Sequence, residues 1–428
     1  MSGRNDIRLA QFDQCSEPIV ITGIGIMASV GETREQVWQA IRQGRSGVKH
    51  LTGLTAIPDN LLVGASLDIE SEIPNQIKTI TMCERTAAEA LEDSGADMNR
   101  IDPYRFGCAI SAHMGDHGYF DRSESSNGSS VAPVPWYEQC LPNSACWHLG
   151  HKFGLYGPRI AHSTACASGL IEVLGAVRAI RDGQCDIALA GSGESIDPLF
   201  AAGFHNMRVL AYDDDPTKAA RPFDRNRSGF VLGEGAAMFV VERLSHAIDR
   251  GAKIYAEISA GKMLAQAHHV TGLDTESDSL SYLIKRTVNH AGLDPTDIGY
   301  INAHGTGTLQ NDVSETRAIR SAFGSAADRV SVSSIKSMLG HLVNASGSVE
   351  LALTALAMRD GFVPPTLNLC DPDPECDLDC IPLVGRRQRF QHALKLSVAF
   401  GGHLVAVALS RWNEARSGFA YPHLAEAA

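Results

Sequence analysis

The chain has 428 residues, of which 44% are hydrophobic, so it holds enough apolar material for more than one domain-sized core. The formal net charge is −12 without a basic run, which argues against a nucleic-acid-binding protein but leaves room for a local basic patch. Ten irregularly spaced cysteines, an N-terminus without an apolar core and the absence of a long apolar run predict a cytoplasmic protein without a disulfide framework, signal peptide or membrane span.

The first half of the chain alternates predicted strands, small-residue turns and helices. After a polar leader at residues 1–17, the first strong strand is predicted at Ile19–Ala28. A helix follows, with Thr33 as its N-cap and Gly44 as its stop, and a second helix is predicted to end near Gly95. Further along, "RIAHSTACASG", an apolar helix and "DIALAGSGE" form a strand–turn–helix–strand unit, which indicates parallel pairing.

A polar, Ser- and Pro-rich stretch at residues 116–143 is predicted to be a long irregular excursion. The second half then repeats the order of the first, with "DIGYINAHGTGT", "VSVSSIKSMLGHLVNASGSVE" and "KLSVAFGGHLVAVALSR" as strands that lead into Gly-containing turns. This similarity predicts an internal duplication with a boundary near residues 251–258. Residues 413–428 are expected to be a tail.

Cys166 is a candidate nucleophile because it stands among small residues just before a predicted helix, in "AHSTACASGL". A helix N-terminus favours the thiolate, which is the reactive form of cysteine. Small neighbours let a substrate carbonyl approach, and the amides of the turn can hold an oxyanion. A small packed core cysteine would give the same local pattern, so both interpretations stay open here.

Two histidines lie at comparable turns of the second half. His304 follows an apolar strand and can act as a base or hydrogen-bond donor, although a capping histidine has the same pattern. His341 follows Lys336 by five residues, and Glu350 lies 14 residues after Lys336. The lysine is either a partner for a carboxylate or a solvated side chain. One cysteine and two histidines at such turns together indicate acyl-thioester chemistry.

The chain also resembles the β-ketoacyl–acyl-carrier-protein synthases of the elongating ketosynthase I/II type, which belong to the thiolase superfamily. The resemblance covers residues 18–411 and rests on "IVITGIGIMASVG", "STACASG", "RPFDRNRSGFVLGEGA", "RGAKIYAEI", "AHGTGTLQNDVSET" and "SSIKSMLGHLVNASGSVE". It implies an α/β, thiolase-like fold in which two duplicated halves, at 18–255 and 256–412, form an α-β-α-β-α layered sandwich. A homodimer is usual in the family.

The resemblance also implies a role for each candidate. Cys166 would accept the acyl group, while His304 and His341 would assist decarboxylation of malonyl-carrier protein and stabilise the resulting carbanion. Lys336, paired with Glu350, would organise the site. The remaining implied residues support the site or line it. They are Asp312 and Glu315 near the lysine, Phe400 as gate and as oxyanion donor together with the amide of Cys166, and Thr271, Thr306, Thr308, Gly401, Gly402 and Ile110 at the substrate.

Some positions depart from the family pattern. The last glycine loop reads Phe-Gly-Gly-His-Leu instead of Phe-Gly-Gly-Thr-Asn, so His403 is either a third ionisable group near the site or a surface substitution. Asn344 stands where Gly is usual. The excursion suggests that His113 and Trp136, with Ile110, shape an unusual pocket, although Trp136 suits a dimer interface equally well.

The three cysteines Cys370, Cys376 and Cys380 lack a fourth nearby ligand, so no metal site is expected. No cofactor is expected either, because the resemblance implies that substrates arrive on the phosphopantetheine arm of an acyl carrier protein. Arg208 is a candidate docking residue for that acidic partner, or a plain surface arginine. The chain is expected as a homodimer or as a heterodimer with a subunit that resembles a chain-length factor.

The predicted reaction is decarboxylative condensation of an acyl-enzyme with malonyl-carrier protein, in fatty-acid, polyketide or other specialised lipid synthesis. Two alternatives remain at this point. One is a thiolase-like enzyme that uses acyl-CoA without decarboxylation, which the second histidine argues against. The other is a non-catalytic or chain-length-determining partner of another ketosynthase, which the intact set of one cysteine and two histidines argues against.

Overall fold

The computed structural model of the chain describes residues 17–52, 57, 62–71, 73, 76–112, 135–274, 276 and 278–412. Almost all of the predicted leader, the tail, His113 and the excursion as far as residue 134 lie outside the described residues, as does the side chain of Trp136. No helix in these described ranges is long and apolar enough to cross a bilayer.

The described residues form strands and helices that are numbered here in chain order. The strands are β1 Ile19–Ala28, β2 Lys49–His50, β3 Val63–Ala65, β4 Phe106–Ala112, β5 Arg159–Ile160, β6 Ile187–Glu194, β7 Leu232–Gly233, β8 Gly235–Arg243, β9 Ala256–Ala265, β10 Ile298–Asn302, β11 Ser331–Ser333, β12 Phe362–Val363, β13 Arg386–Arg387, β14 His392–Ala399 and β15 His403–Arg411. The helices are α1 Arg34–Arg42, α2 Lys78–Ser94, α3 Trp136–Gln139, α4 Ser144–Lys152, α5 Ser168–Arg181, α6 Pro198–Asn206, α7 Leu244–Asp249, α8 Asp278–His290, α9 Leu309–Phe323, α10 Lys336–Leu339 and α11 Ser346–Asp360.

The main sheet consists of two copies of one five-stranded pattern. Its order is β11-β10-β14-β15-β9-β1-β8-β6-β4-β5. From β1 outward through β8, β6, β4 and β5, two antiparallel pairings are followed by two parallel ones, and β9, β15, β14, β10 and β11 repeat that sequence of pairings. Within the main sheet, the two copies are joined by the pairing of residues 20–21 with residues 256–257. The predicted internal duplication is therefore confirmed, whereas the predicted domain limits stay predictions.

Helices α5 and α11 form the central layer between the two five-stranded halves of the main sheet. Nearly every residue of both helices is buried, which is typical of helices that have other elements on all sides. On the outside, α2 packs on β1 and β8, and α8 packs on β9 and β15 with α9 beside it. This arrangement is the predicted α-β-α-β-α sandwich.

Several predicted element boundaries agree with the structure because local capping residues determine them. Thr33 accepts a hydrogen bond from the backbone N–H of Gln36 at the start of α1, and Gly95 ends α2 with a φ of +63°. The parallel pairing predicted around α5 differs in detail, because β5 and β6 both pair with β4, which lies between them.

The two central helices begin at equivalent short turns, Ala165–Ala167 and Val343–Ala345. The sequence Cys-Ala-Ser-Gly at 166–169 corresponds to Asn-Ala-Ser-Gly at 344–347. The residue before each of these tetrapeptides has a positive φ, +48° at Ala165 and +38° at Val343. Because this backbone region is strained for residues other than glycine, both turns are held by the surrounding packing.

Contact between the two helix starts requires glycine on each side. A Cβ at Gly169 would lie 2.7 Å from the backbone nitrogen of Ser348, and a Cβ at Gly347 would lie 2.9 Å from that of Leu170. The fold therefore brings the turn that carries Cys166 next to the turn that follows His341, although 175 positions separate these residues along the chain.

Candidate active site

A cavity of about 340 Å³ opens at the start of the two central helices. Seven residues singled out from the sequence for catalysis or substrate binding line it. They are Cys166, Thr271, His304, Thr306, Thr308, His341 and Phe400. The lining also includes residues that the sequence did not single out. Among these are Phe204, Ser228, Phe230, Leu309, Asn311 and Val398.

Cys166 is buried, and its Sγ lies 3.1 Å from Nε2 of His341. Burial raises the pKa of the Cys166 thiol to about 12, although the positive charge of Lys336 acts in the opposite direction. A backbone hydrogen bond at the start of the helix lowers this pKa, as expected, but burial of the anion raises it by more in the substrate-free site. Cys166 rests as a thiol.

The hydrogen bonds of His341 determine which ring nitrogen carries its proton. The backbone N–H of Val343 lies 3.2 Å from Nδ1, and an amide can only donate, so Nδ1 accepts. The hydroxyl of Ser346 also lies 2.7 Å from Nδ1. Burial first, and then the charges of Lys336 and Lys395, hold the pKa of His341 well below its usual range. The neutral ring therefore presents Nε2–H to Cys166.

His304 takes the same tautomer by a different contact. Nζ of Lys336 lies 3.4 Å from Nδ1 of His304, and an ammonium group has no acceptor site, so Nδ1 accepts here too. Burial, followed by the charges of Lys336, His341 and Lys395, lowers the pKa of His304 well below its usual range. The rings of His304 and His341 meet edge to face with centroids 5.3 Å apart.

Behind the histidines, one carboxylate joins two buried lysines. Nζ of Lys336 lies 2.7 Å from Oε1 of Glu350, which agrees with the predicted pair. Nζ of Lys395 lies 2.7 Å from Oε2 of the same carboxylate, and sequence reasoning missed this lysine. The signal was present, because Lys395 is a charged residue within the otherwise apolar strand "ALKLSVA".

The two acidic residues of α9 hold the turn after β10 instead of pairing with Lys336. Glu315 accepts the backbone N–H groups of His304 and Gly305 at 2.6 and 2.8 Å. Asp312 accepts those of Phe223 and Gly307 at 2.8 and 3.2 Å. Burial raises the pKa of both carboxyl groups. Both carboxyl groups therefore hold the turn that carries His304, and their supporting role in the reaction stays a prediction.

An unbroken series of ring contacts connects Phe400 with His341. The Phe400 ring lies 6.4 Å from that of Phe204, which lies 5.2 Å from that of Phe230, which in turn lies 5.2 Å from the His341 ring, all between centroids. After Phe400, both Gly401 and Gly402 have positive φ, +82° and +79°. The predicted gate residue therefore sits on a turn that needs glycine conformations.

The remaining sequence candidates lie around this site in different ways. Thr306 and Thr308 share a hydrogen bond at 2.9 Å between their hydroxyl groups. Ile110 is fully buried in β4 and is not among the described residues that line the cavity. Arg208 is exposed and does line it. His403 is half-buried at the start of β15, where its ring approaches Gly401.

Asn344 occupies in the second half the position that Cys166 occupies in the first. Its backbone N–H donates to Oε2 of Glu194 at 3.1 Å, and its side-chain oxygen accepts from the hydroxyl of Ser111 at 3.3 Å. The departure from the expected glycine therefore gives a hydrogen-bonded residue in the core.

The three clustered cysteines do not come together as ligands. Cys370 is exposed while Cys376 and Cys380 are buried. Within the part of the chain that the structure describes, no group of three or more His, Cys, Asp or Glu side chains is placed to hold a metal ion.

The arrangement as a whole suits thioester chemistry. A thiol at the start of a helix and two neutral imidazoles that present Nε2–H converge on one cavity. Such donors stabilise negative charge that develops on a carbonyl oxygen, and the thiol can carry an acyl group between two steps.

Comparison with known proteins identifies the class. Residues 16–247 match the family model of the β-ketoacyl synthase N-terminal domain, and residues 255–370 match that of the C-terminal domain. The chain therefore belongs to the β-ketoacyl synthase family, whose members are condensing enzymes of the acyltransferase type.

Particular relatives refine this picture. The chain is 39% identical to the tetracenomycin polyketide synthase ketoacyl synthase alpha subunit of Streptomyces glaucescens, over 93% of this chain and 98% of that protein. It is 37% identical to 3-oxoacyl-[acyl-carrier-protein] synthase 2 of Coxiella burnetii, over 92% and 98%. A solved complex of a type II polyketide synthase acyl-carrier protein with its ketosynthase bound to the hexaketide superimposes with a TM-score of 0.85 at 29% identity, covering 93% of this chain and all of that one.

Proposed function

We propose that this chain condenses an acyl group held on Cys166 with malonyl-acyl-carrier protein, with loss of carbon dioxide, to give β-ketoacyl-acyl-carrier protein. The observation that carries the proposal is the convergence of three groups in one cavity. Sγ of Cys166 lies 3.1 Å from Nε2 of His341, and the ring of His304 stands edge-on to that of His341. Decarboxylation needs two donors on one carbonyl oxygen, and this pair offers them.

The first step is thioester exchange. The sulfur of Cys166 attacks the acyl carbonyl of a carrier-protein thioester, and the carrier thiolate leaves. The proton of the Cys166 thiol ends on the departing thiol, so the exchange needs no external acid or base in its balance. The backbone N–H groups of Cys166 and Phe400 are the proposed donors to the tetrahedral oxyanion, and loss of one such donor costs about 3 kcal/mol in other enzymes.

The second step forms the new carbon–carbon bond. The malonyl carboxylate leaves as carbon dioxide, and the electron pair of the broken bond becomes an enolate whose oxygen accepts from Nε2–H of His304 and of His341. The enolate carbon then attacks the acyl carbonyl on Cys166, the bond from that carbonyl to the sulfur breaks, and the released thiolate takes up a proton from water. Neutral histidines suit this step because they already hold their protons on the nitrogens that face the cavity.

Substrates are proposed to reach the cavity on a phosphopantetheine arm, with Thr271, Thr306 and Thr308 along its path. The chain needs no cofactor of its own in this reaction. A specialised type II polyketide or related lipid pathway is favoured over housekeeping fatty-acid synthesis. This preference is supported by relatives named as polyketide ketosynthases and by the atypical glycine loop at His403.

The proposed partners are an acyl carrier protein and a second ketosynthase-like chain. One relative of known structure is named as the ishigamide ketosynthase/chain length factor, at 27% identity and a TM-score of 0.83 over 93% of this chain and all of that one. It supports a heterodimer as an alternative to the homodimer. A cytoplasmic location is part of the same proposal.

Acylation measured by mass spectrometry tests the nucleophile. Purified protein is incubated with an acyl-carrier protein, and the intact mass is recorded for wild type, for Cys166→Ala and for Cys370→Ala, an exposed cysteine that serves as the control. The acyl mass is expected on wild type and on the control and not on Cys166→Ala. Acylation of Cys166→Ala at the wild-type level would overturn the assignment.

A further inference from the structure

We propose that Lys395 is a positioning residue of the decarboxylation site, which acts together with Lys336 to hold Glu350 and the turn that carries His304. The proposal rests on the function proposed above, because it concerns the histidines of that reaction. It is independent of the cysteine, and it assigns a task to a buried charged side chain that the reaction itself does not use.

The ammonium group of Lys395 is fully buried and lies among carbonyl oxygens and one carboxylate. The residue has no exposed surface in the middle of β14. Its Nζ lies 2.7 Å from Oε2 of Glu350, 2.6 Å from the carbonyl oxygen of Leu396 and 3.1 Å from that of Ala303. The carbonyl oxygens of Leu396 and Ala303 accept hydrogen bonds from the ammonium group, and the carboxylate of Glu350 supplies the opposite charge as an ion pair. Burying a charge costs free energy unless the charge is paired and hydrogen-bonded, so these contacts favour a cation at this position.

The two lysines hold consecutive carbonyl groups of one segment. Lys395 donates to the carbonyl oxygen of Ala303, with that of Asn302 at 3.5 Å. Lys336 donates to the carbonyl oxygen of His304 at 2.6 Å. The end of β10 is thus fixed by two cations, which a single carboxylate, Glu350, holds at a set distance from each other. The direction of the His304 ring depends on this segment.

Lys336, Glu350 and Lys395 form a cluster of charges that also contributes to the electrostatic potential at the two histidines. With all three groups ionised, Lys336, Glu350 and Lys395 carry one net positive charge behind His304 and His341. Glu315 faces the same region from α9. Among the causes that hold the pKa of each histidine below its usual range is the positive charge of Lys395. Lys395 therefore helps to keep both imidazoles neutral.

Burial lowers the pKa of Lys395 itself to about 8, against the opposing pull of Glu350. Below this pH the lysine is charged, and above it one positive charge disappears from the cluster. Since the enolate is negative, we expect decarboxylation in the wild type to slow as pH rises through about 8.

The test compares Lys395→Met with wild type, with Glu350→Gln, and with the double variant Glu350→Gln/Lys395→Met. Methionine fills a similar volume without a charge. Lys285→Met, an exposed lysine on α8, is the matched control. Two quantities are measured. One is the midpoint of the imidazole titrations of His304 and His341, from NMR spectra of histidine-labelled protein. The other is release of labelled carbon dioxide from malonyl-carrier protein between pH 6 and 9.5.

The expected results distinguish a loss of the Lys395 charge from a loss of the geometry that Lys395 holds. In Lys395→Met the histidine midpoints move to higher pH, the loss of activity near pH 8 disappears, and kcat for carbon dioxide release falls roughly 10- to 100-fold with KM unchanged. The double variant restores one net positive charge, so its histidine midpoints return towards those of wild type, while kcat stays low because the geometry is not restored. Lys285→Met behaves as wild type.

The outcomes separate this inference from the proposed function. Unchanged histidine midpoints and an unchanged pH profile in folded Lys395→Met overturn the inference while the function stands. If wild type releases no carbon dioxide, the function fails, and the midpoints still decide the effect of Lys395. If Lys395→Met does not fold, Glu350→Gln and the double variant are compared instead, since they differ in the same lysine. Equal histidine midpoints in these two variants would overturn the inference.

Discussion

The backbone N–H of Val343 lies 3.2 Å from Nδ1 of His341, and this contact determines which ring nitrogen faces Cys166. Val343 has a φ of +38° in the turn that leads into α11. A residue in a strained backbone conformation therefore donates the hydrogen bond that selects the tautomer of His341. Strain of this kind is typical of functional sites.

Replacement of His341 tests the role of that proton. His341→Ala is expected to lower release of labelled carbon dioxide from malonyl-carrier protein by on the order of 10²- to 10³-fold, because one donor to the developing enolate is lost. Acylation of Cys166 is expected to persist, which the intact mass will report. His290→Ala changes an exposed histidine on α8 and should leave both reactions intact. Wild-type carbon dioxide release in His341→Ala would contradict the assigned role.

The buried thiol predicts an unusual pH dependence of alkylation. Because burial raises the pKa of Cys166 to about 12, the thiolate fraction in the substrate-free enzyme rises about tenfold per pH unit below that value. The rate of iodoacetamide labelling at Cys166, followed by peptide mass spectrometry from pH 6 to 10, should therefore climb throughout. Labelling in Cys166→Ala gives the background from other thiols. A plateau below pH 8 would show that the thiol is already ionised there.

The contact between the two central helices predicts opposite effects for two glycines of α5. Gly169→Ala should lower the free energy of unfolding by about 1–3 kcal/mol, because its Cβ would overlap Ser348. Gly175→Ala is the matched change on the same helix, where the nearest atoms lie at 3.5 Å, and it should be neutral or stabilising by about 0.5–1 kcal/mol. Urea denaturation measures both. Equal effects would show that the contact is not tight.

Arg208 is expected to contact the acidic carrier protein, because it is exposed and lines the cavity. Arg208→Glu should raise KM for the carrier-bound substrate several-fold, with a smaller effect at high salt, and leave kcat nearly unchanged, because charges at the rim of an interface act mainly on association. The exposed Arg387→Glu on β13 is the control. If the two variants change KM equally, net charge alone explains the effect.

The sequence predicted those parts of the site whose signals are local. Cys166, His304 and His341 each follow an apolar segment and stand at a turn of small residues, and the structure brings them into one cavity. The duplication was likewise predicted from repeated strand–turn–helix segments, and the matching pairing patterns of the two halves of the main sheet confirm it.

The sequence did not predict features that depend on contacts between distant residues or on the degree of burial. Lys395 meets Glu350 only because β14 and α11 lie side by side, so its position in the sequence does not indicate a partner. The high pKa of Cys166 results from full enclosure, which the helix position alone cannot predict. The ring series from Phe400 to His341 passes through Phe204 and Phe230, two residues without a local signal.

Cys166 and Asn344 occupy equivalent turns, so the surroundings of their backbone amides can be compared within one chain. In the second half, the amide at this position is bonded to a carboxylate, Oε2 of Glu194, at 3.1 Å. In the first half, the equivalent turn carries Cys166, which lines the cavity. In one copy the amide is thus bonded to a carboxyl oxygen within the core, while in the other copy it belongs to the residue proposed to carry the acyl group. The two halves therefore use one backbone geometry for two different purposes under the proposed function.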